Sequence, residues 1–485
     1  MHRTGKVSAG NQAGKQVRRA AGWAYVAAAS VVAVLTAGCG ASYRPVVSAI
    51  NPVGPAGQPT KFAVAISSPA PGAPGLATIV DFSGDTVLAT PSIQHDPSYF
   101  VLGNSGSTAY VVNAGGALDT FAVSNPAGLI TADVNQTTLL PNANPTSITA
   151  LAGTGAGTTI FIPQLGRKSI AALSSNGPSL LQELSNTAGT TPNYVVGVDS
   201  APRAYALSSN GGGPGQAAAI ETTLSLPAIS NTIPVGVNPV YGVMAPDASR
   251  AYILNKGSGT VSVINVQTNQ LDLTTPTIPA TGTLGLNPVW AVVVPTLVEL
   301  VVLNSGDGTH PGSLSVISIP LCNAVTPITN PNCNAANPSD AVGFGTVVAT
   351  IPVGVNPVMV DVLKDGSRAY VVNHGVDPTK DVNGNPIPGT GVEGSVSVVN
   401  LQTNQVTATI GGISTAAGTQ NFDSSPSLVY GHPNSVSVSL ASPTGKVYIT
   451  SPDSKFMTVL RTDTDAVTTH ISLQGLGLRV LVTAP

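Results

Sequence analysis

Short catalytic motifs are missing from this sequence. It contains no HExxH, GxSxG, Walker or CxxC pattern, so the strong signatures of zinc peptidases, α/β-hydrolases, nucleotide-binding loops and dithiol redox sites are not found. Its histidines are scattered, but His374 follows an apolar segment in VVNHG and His432 precedes a proline in GHPN. Imidazoles at such positions can act as acids, bases or ligands. The alternative for both is a surface or turn residue.

One polar segment, DPTKDVNGNPIPGTGVEG, has the oxygen-rich character of a calcium loop. Carboxylate and amide oxygens are the ligands that Ca²⁺ prefers. An EF-hand would need glycine where Pro386 stands, so that motif is excluded. The segment remains either a weak cation site or a plain turn, since Asn and Gly also serve turns. Its candidate ligands are Asp377, Asp381, Asn383, Asn385 and Glu393.

The composition predicts an all-β protein. Only 8% of the residues are charged, whereas 52 are Gly and 40 are Pro. Gly and Pro are costly inside helices, and the 42% of hydrophobic residues supplies a core that a disordered chain would lack. The elements that position any site are therefore expected to be short strands joined by tight turns.

The N-terminus has the order of an export signal. Residues 1–19 carry five basic residues and no acid, and an apolar run follows to Leu35. The segment LTAGC, ending at Cys39, resembles the bacterial lipobox, which implies cleavage after residue 38 and a lipid on Cys39. An ordinary secretory signal is the alternative. We therefore expect a lipid-anchored protein of the cell envelope, on the outer membrane or cell surface in a two-membrane bacterium.

Loss of this leader would change the formal net charge from −3 to −8, because five basic residues leave with it. A mildly acidic chain has no electrostatic reason to bind nucleic acid. Cys322 and Cys333 remain in one irregular segment, and a disulfide is the expected state in an oxidising envelope. A zinc site is the weaker alternative, since no histidine lies nearby. We predict no cofactor.

A repeat organises the rest of the chain. The segment VGVNPVYGVMAPDASRAYILN recurs as VGVNPVMVDVLKDGSRAYVVN, and five weaker copies share its anchor proline. The anchors are Pro97, Pro145, Pro192, Pro239, Pro288, Pro357 and Pro433. Their spacing is 47 to 49 residues, except for two longer intervals of 69 and 76. This is the period of a propeller blade with two insertions.

Each repeat unit is expected to form four antiparallel strands. In the clearest copy these are residues 240–244, 250–254, 260–265 and 270–275, separated by turn sequences. The N-terminal part of the ring lacks a first strand, and LRVLVTA at 478–484 is a first strand alone. Pairing the two closes a β-propeller of eight blades over residues 59–485, with seven blades as the alternative. Residues 39–58 then form a proline-stiffened tether.

The motifs VNP, RAYVVN, GSVSVVN and QTNQVTATI resemble the YVTN-type β-propeller repeat. The resemblance is most specific between residues 235 and 410, and it implies that first strands line a central channel. Asp361 would then lie in the channel, where other copies have apolar or small residues, either as a cation ligand or base or as a solvated carboxylate. The turn residues Asn238, Asn287 and Asn356 are weak ligand-contact candidates at the channel opening, although Asn-Pro first serves the turn.

The function expected from these observations is a binding or interaction scaffold. The chain would be a monomer, held to the membrane by its lipid, with a protein or cell-wall ligand docked on loops from the inserts 305–345 and 375–394. The alternative is a propeller-type hydrolase or lactonase with its site in the channel. A quinone-dependent electron carrier is disfavoured because Trp-rich docking motifs are absent. Trp290, in LNPVW, is expected to pack at a blade junction.

Overall fold

The computed structural model describes residues 60–483, except for twelve gaps. These are 104–105, 124–128, 130, 153–157, 176, 186–189, 200, 323–336, 385–386, 388, 414–426 and 440–443. Apart from the 3₁₀ turn Thr131–Asp133, the regular elements of this part are β-strands. Within it, no helix has the length and hydrophobicity needed to cross a membrane. The predicted signal, Cys39 and the tether lie outside the described residues.

The strands form eight antiparallel sheets, which we call blades 1 to 8. Blade 1 contains β1 (Phe62–Ser68), β2 (Pro74–Asp81), β3 (Thr86–Ala89) and β4 (Ser92–His95), together with the last strand, β35 (Leu476–Val482). Blade 2 contains β5 (Pro97–Gly103), β6 (Thr108–Asn113), β7 (Ala117–Ala122) and β8 (Asn135–Thr138). Blade 3 contains β9 (Thr149–Ala152), β10 (Thr158–Gln164), β11 (Ser169–Ser174) and β12 (Ser179–Ser185). Blade 4 contains β13 (Thr191–Val196), β14 (Arg203–Asn210), β15 (Gly213–Glu221) and β16 (Ala228–Val237).

The second half of the ring repeats this plan. Blade 5 contains β17 (Pro239–Met244), β18 (Arg250–Asn255), β19 (Thr260–Asn265), β20 (Gln270–Leu271) and β21 (Thr277–Ile278). Blade 6 contains β22 (Pro288–Val294), β23 (Glu299–Asn304), β24 (Pro311–Ser318) and β25 (Thr346–Val355). Blade 7 contains β26 (Pro357–Val362), β27 (Arg368–Asn373), β28 (Ser395–Asn400), β29 (Gln405–Ile413) and β30 (Val429–Tyr430). Blade 8 contains β31 (Ser435–Ser439), β32 (Lys446–Thr450), β33 (Phe456–Arg461) and β34 (Ala466–Ser472).

The first strand of each blade is its innermost strand. Neighbouring first strands contact each other around the whole ring, in the order β35, β5, β9, β13, β17, β22, β26, β31 and back to β35; β9 meets β13 through the hydrogen bond from Thr149 Oγ1 to the Val195 carbonyl. The space that they surround is the central channel. Apolar side chains from facing blades pack into shared cores, so each sheet is covered on both faces by its neighbours. The prediction of an eight-bladed propeller is confirmed.

The ring closes through strands from the two ends of the described chain. β35 pairs antiparallel with β1, with Ala63 opposite Val482 and Ser68 opposite Leu476. The backbone amide of Phe62 donates to Oγ1 of Thr483 at 2.9 Å, which extends the ladder by one residue. The predicted closure is therefore confirmed, and it covers the edge of β1 that would otherwise be unpaired.

In blades 5, 6 and 7 the recurring Asn at the end of the second strand bonds to the third strand of its own blade, and Asn373 also bonds to the preceding blade. Asn373 is fully buried; its Nδ2 donates to Ser397 Oγ at 3.0 Å, and its Oδ1 accepts from the Gly354 amide at 3.0 Å. Asn255 and Asn304 make the equivalent bonds to serines of their own third strands. A buried amide with partners on neighbouring strands fixes their register, which explains why the repeat requires Asn here.

The RAY part of the repeat joins adjacent blades. In blade 7, Arg368 lies 3.0 Å from Asp465 on the last turn of blade 8, and the hydroxyl of Tyr370 donates to the same carboxylate at 2.7 Å. In blade 8, Lys446 and Tyr448 contact Asp85 of blade 1 in the same way. We call this contact the blade latch. It gives the recurring cation and tyrosine a structural role.

The predicted fourth strand of blade 5 is wrong in part. The strand breaks into β20 and β21, because Asp272 turns inward between them and accepts from the amides of Thr274 and Thr275. Its carboxylate forms a buried ion pair with Arg250 at 2.8 Å, and Arg250 also reaches Asp340 at 3.3 Å. Asp340 belongs to the connection between β24 and β25, which therefore packs against blade 5.

The two inserts lie only partly at the same end of the ring. In antiparallel blades the turns after the first and third strands lie at one end, and the turns after the second and fourth strands lie at the other. Residues 305–310 of the first insert and the connection 374–394 both follow a second strand, whereas residues 319–345 of the first insert follow the third strand β24. Loops 319–345 and 374–394 therefore do not form one surface. We call the end with the inter-blade turns and connection 374–394 the Asn-Pro face.

The predicted disulfide is only partly within the described residues. Cys322 is buried, and its amide donates to the Ser339 carbonyl at 2.8 Å. Cys333 lies outside the described residues, so the pairing stays a prediction.

Candidate functional site

Aromatic residues meet in the central channel. Four of the anchor prolines are followed two residues later by an aromatic side chain, on β5, β13, β17 and β22. These side chains are Tyr99, Tyr194, Tyr241 and Trp290. In each of these strands the pairing with the second strand skips the residue between the proline and the aromatic. Such a bulge re-aims the following side chain, and all four are placed at the same level of the ring.

Arg479 occupies the matching position on β35. The pairing of β1 with β35 skips Leu478, as blades 2, 4, 5, 6 and 7 skip the residue after their proline. Arg479 is therefore the counterpart of Tyr241, although β35 has no anchor proline. Seen along the ring order, β35 lies next to β5 and several strands away from β22.

The rings and the guanidinium form one cluster. The ring centroids of Tyr194 and Tyr241 are 4.8 Å apart, and Tyr241 stacks on Trp290 at 4.0 Å with an interplanar angle of 19°. The guanidinium carbon of Arg479 lies 4.0 Å from the centroid of Tyr99 and 5.4 Å from that of Trp290. Arg479 thus reaches across the channel. With Asp361, these five residues are the channel cluster.

Asp361 lies in the channel wall, as predicted, but its carboxylate is engaged by backbone amides. Oδ1 accepts from Val362 at 2.9 Å, and Oδ2 accepts from Val438 of the next inner strand at 2.9 Å. Burial raises the pKa of Asp361 to about 6, although both amides and the charge of Arg479 favour the ionised form. The carboxylate therefore links β26 to β31, and it is poorly hydrated although the residue is only half-buried.

Arg479 keeps its hydrogen-bonding capacity. Within the described part of the chain it forms no ion pair, and its buried Nε has no hydrogen-bond partner. Its contacts are the two aromatic faces, which stabilise a cation without using the N–H groups. A guanidinium carries five N–H donors in a planar fork. It is therefore available to an anion.

Tyr194 and Tyr241 of the channel cluster stay neutral. Burial raises the pKa of Tyr194 and of Tyr241, and the neighbouring Tyr99 raises both further. Each ring is nevertheless only half-buried. The channel cluster therefore combines accessible neutral aromatic surface with one unpaired cation.

A second group, the rim cluster, lies on the Asn-Pro face. It contains His374, Asp377, His432 and Asp453. Nδ1 of the buried His432 lies 2.8 Å from Asp453 and 3.7 Å from Asp377, and Nε2 of His374 lies 3.5 Å from Asp377. The two imidazole centroids are 5.3 Å apart. The structure thus brings together two histidines that the sequence singled out separately.

The rim cluster favours a protonated imidazole. The hydrogen bond with Asp453 raises the pKa of His432, against the effect of burial. Burial alone would raise the pKa of Asp453, but its contacts with His432 lower it overall. In the described part of the chain, no group of three or more His, Cys, Asp or Glu side chains is placed to hold a metal ion. His432 and Asp453 form an ion pair at 2.8 Å.

The predicted calcium ligands are spread over the connection 374–394. Asp377 contacts the histidines, whereas Asp381 caps its own turn by accepting from the Asn383 amide at 2.9 Å. Glu393 interacts electrostatically with His432. Asn385 lies outside the described residues, so the calcium site stays a prediction.

The anchor asparagines have the structural role that the sequence assigned them first. Asn238, Asn287 and Asn356 adopt φ values of 53°, 58° and 49°, in the left-handed region that Asn tolerates. The side-chain Nδ2 of Asn287 also donates to the Gly306 carbonyl at 2.7 Å. Their backbone geometry is what starts each inner strand at the next proline.

The chemistry open to the channel is limited by its charged groups. On the eight inner strands, as the structure bounds them, Asp361 and Arg479 are the only charged residues. A general base needs a carboxylate or imidazole that can reach a reacting proton, and both oxygens of Asp361 are already accepting hydrogen bonds. The arrangement suits recognition of a ligand.

Sequence reasoning found Asp361 but missed the aromatic residues and Arg479 of the channel cluster, although the aromatic residues carried a signal. An aromatic residue recurs at a fixed offset from the anchor proline in four copies, and that regularity predicts a common level in the ring. Arg479 carries no such signal, because its strand lacks the proline. Trp290 was expected in a blade junction; it does pack against the cores of blades 6 and 7, but it also stacks on Tyr241.

No known family model matches this chain, and no curated protein matches it either. Solved structures with the same fold are known. The dihydro-heme d1 dehydrogenase NirN in complex with DHE is 11% identical, with a TM-score of 0.58, over 87% of this chain and 75% of that chain. AztD from Citrobacter koseri is 12% identical, with a TM-score of 0.53, over 87% of this chain and 98% of that chain. At such identities the similarity shows the fold alone.

Proposed function

We propose that this protein is an exported, lipid-anchored β-propeller that works as a binding scaffold at the cell envelope, with a ligand site in its central channel. The observation that carries the proposal is the channel cluster. Half-buried aromatic rings and an unpaired guanidinium are groups that hold a ligand, and the single inner-strand carboxylate is already hydrogen-bonded twice. The envelope location rests on the leader sequence and on Cys39.

A second binding surface is proposed on the Asn-Pro face. The connection 374–394 forms a short hairpin there, in which Val376 and Val392 exchange backbone hydrogen bonds of 2.9 Å. Val382 at its tip is fully exposed. Loops carried by a rigid frame are common sites of recognition, so this hairpin and the adjacent rim cluster suit a protein or cell-wall partner.

The channel gives little support to the hydrolase or lactonase alternative. Hydrolysis needs an activated water or nucleophile beside a base. The histidines of the rim cluster lie at the start of inner strands or after second strands, and the channel carboxylate has no imidazole neighbour among the described residues.

The ligand function is tested by thermal denaturation against a panel of small acids, amines, sugars and lactones. A binder raises the melting temperature by mass action, and mass spectrometry should then recover that compound unchanged. Turnover of a lactone that disappears in Asp361→Asn would instead establish the hydrolase, and a panel without any stabilising compound would contradict a channel site.

The location is tested separately by metabolic labelling with a radioactive fatty acid in a bacterial host. The wild type should be labelled and remain with the membrane fraction. Cys39→Ala should lose the label, whereas the neighbouring Ser48→Ala should keep it. An unlabelled wild type would remove the lipid anchor from the proposal.

A further inference from the structure

We infer that the channel cluster binds a small aromatic carboxylate, with Arg479 pairing to its carboxylate group and the tyrosine and tryptophan rings stacking on its ring. This inference rests on the proposed binding function and names the class of ligand.

The charge of the ligand follows from Arg479. Its guanidinium is held against Tyr99 and faces Trp290, contacts that leave its N–H edges unused. The carboxylate of Asp361 lowers the local potential, but it forms no ion pair with Arg479 among the described residues, and backbone amides already occupy its oxygens. An unneutralised guanidinium repels a cationic ligand and pairs with a carboxylate through two parallel hydrogen bonds.

The aromatic character of the ligand follows from the walls. Tyr194, Tyr241 and Trp290 form a continuous series of ring contacts, and each residue is only partly buried. Flat conjugated groups gain from offset stacking on such rings beyond the burial of area. A small aliphatic acid such as acetate would reach Arg479 but leave these faces uncovered.

The inner strands supply few competing contacts. Besides the channel cluster, the polar side chains of the inner strands belong to Ser, Thr and Asn. Several of these are already paired: Thr149 donates to the Val195 carbonyl, and the side-chain amide of Asn193 donates to the Pro239 carbonyl, both at 2.7 Å. Ser435 and Ser437, on the strand next to β35, already accept from the amides of Val480 and Val482 at 3.1 Å. A sugar, which needs many directional hydrogen bonds, finds few free groups here, so recognition depends on one charge and on stacking.

Trp290 gives the test a built-in reporter. The chain has two tryptophans, and Trp23→Phe in the full chain leaves Trp290 as the sole one. Its emission is titrated with benzoate, with benzamide as the uncharged analogue and acetate as the analogue without a ring. We expect benzoate to change the emission with saturation, and benzamide and acetate to bind at least about tenfold more weakly.

Substitutions then assign the contact. In the same background Arg479→Gln should weaken benzoate binding about tenfold or more, and Arg479→Lys should restore only part of it because a lysine cannot pair through a planar fork. The control is Arg461→Gln, an exposed arginine of blade 8 that pairs with Asp463; it should leave binding unchanged.

The comparison of benzoate with benzamide and acetate, made with Arg479 intact, tests the inference even if an Arg479 variant does not fold. Equal binding of benzoate and benzamide, equal binding of benzoate and acetate, or no response to benzoate would each overturn it. If benzoate fails while another compound of the panel stabilises the protein and is recovered unchanged, the ligand class is wrong and the proposed binding function stands.

Discussion

The ammonium group of Lys446 lies 2.7 Å from the carboxylate of Asp85, and the hydroxyl of Tyr448 donates to the same carboxylate at 3.0 Å. These residues stand near opposite ends of the described chain. The blade latch between blades 8 and 1 therefore reinforces, at the outer part of the ring, the same junction that β35 and β1 close at the centre.

The first prediction concerns this latch. Asp85→Ala removes the acceptor of two largely buried donors, and an unsatisfied buried donor costs about 1–3 kcal/mol. The free energy of unfolding, measured in urea, should fall by that amount. Asp463→Ala, which breaks the exposed pair with Arg461 inside one blade, is the control and should have little effect. If the two substitutions lower the free energy of unfolding equally, the blade latch does not stabilise the ring.

The second prediction concerns the closing strand. Deletion of residues 476–485 removes β35 and exposes the inner edge of β1, so the melting temperature should fall by roughly 10 °C or more. Deletion of residues 484–485 alone, beyond the last paired residue, should leave it unchanged. The melting temperatures are measured by calorimetry. If the longer deletion melts at the same temperature as the full-length protein, the ring is stable without β35.

The third prediction concerns the pH dependence of stability through Asp361. Its folded-state pKa of about 6 exceeds the ordinary aspartate value of about 3.9, so the folded protein keeps this proton where the unfolded chain has lost it. The Asp361 carboxyl therefore does not reduce the free energy of unfolding below pH about 4. As the pH rises from about 4 through about 6, the free energy of unfolding falls. The cost at neutral pH is on the order of 2 kcal/mol, discounted for partial exposure.

Urea denaturation at several pH values checks this sign. Asp361→Asn should lose the decline between acid and neutral pH, although it is less stable at acid pH because one backbone amide loses its acceptor. Asp365→Asn, on an exposed turn, should keep the wild-type profile. If the stability of Asp361→Asn declines with pH by the same amount as that of the wild type, another titrating group causes the decline.

The fourth prediction concerns the buried network of Arg250. Arg250→Met leaves Asp272 and Asp340 close together without their cation. Burial and the nearby Asp272 already raise the pKa of Asp340 to about 6, so the loss should cost about 3–5 kcal/mol. Hydrogen exchange should also speed up at the amides of Cys322 and Ala341, which hold the insert together.

The rescue variant distinguishes charge from packing. The triple variant Arg250→Met/Asp272→Asn/Asp340→Asn removes all three charges and should recover much of the lost stability. Exchange rates at the insert that stay at their wild-type value in Arg250→Met would mean that the insert is held by other contacts.

The blade count and the closure were predictable because each hairpin is encoded locally. The turn sequences PDAS, NKGSG and QTN mark the strand ends of blade 5, and the unpaired first strand at the end of the chain had only one place to pair. The broken fourth strand of blade 5 was not predictable in this way. It depends on Asp272 turning inward to pair with Arg250, which also reaches Asp340, and contacts across such separations leave no local pattern.

The residues of the candidate site that follow the repeat could be predicted from the sequence, and the others could not. Asp361 was found because it departs from apolar equivalents, and the aromatic residues share one offset from their prolines. Arg479 was missed because its place in the ring depends on a bulge at Leu478. The sequence of one strand does not determine its register with a partner strand. The contact between His374 and His432 joins two connections of the Asn-Pro face, so it requires the fold.

The pairing of β1 with β35 also has a consequence for biosynthesis. Chains emerge with their N-terminal part first, so β1 to β3 exist long before the strand that completes their sheet. Until then the growing molecule is an open arc without Arg479, which emerges only with β35. Closure of the ring and assembly of the channel cluster are therefore one event, set by the arrival of the same strand.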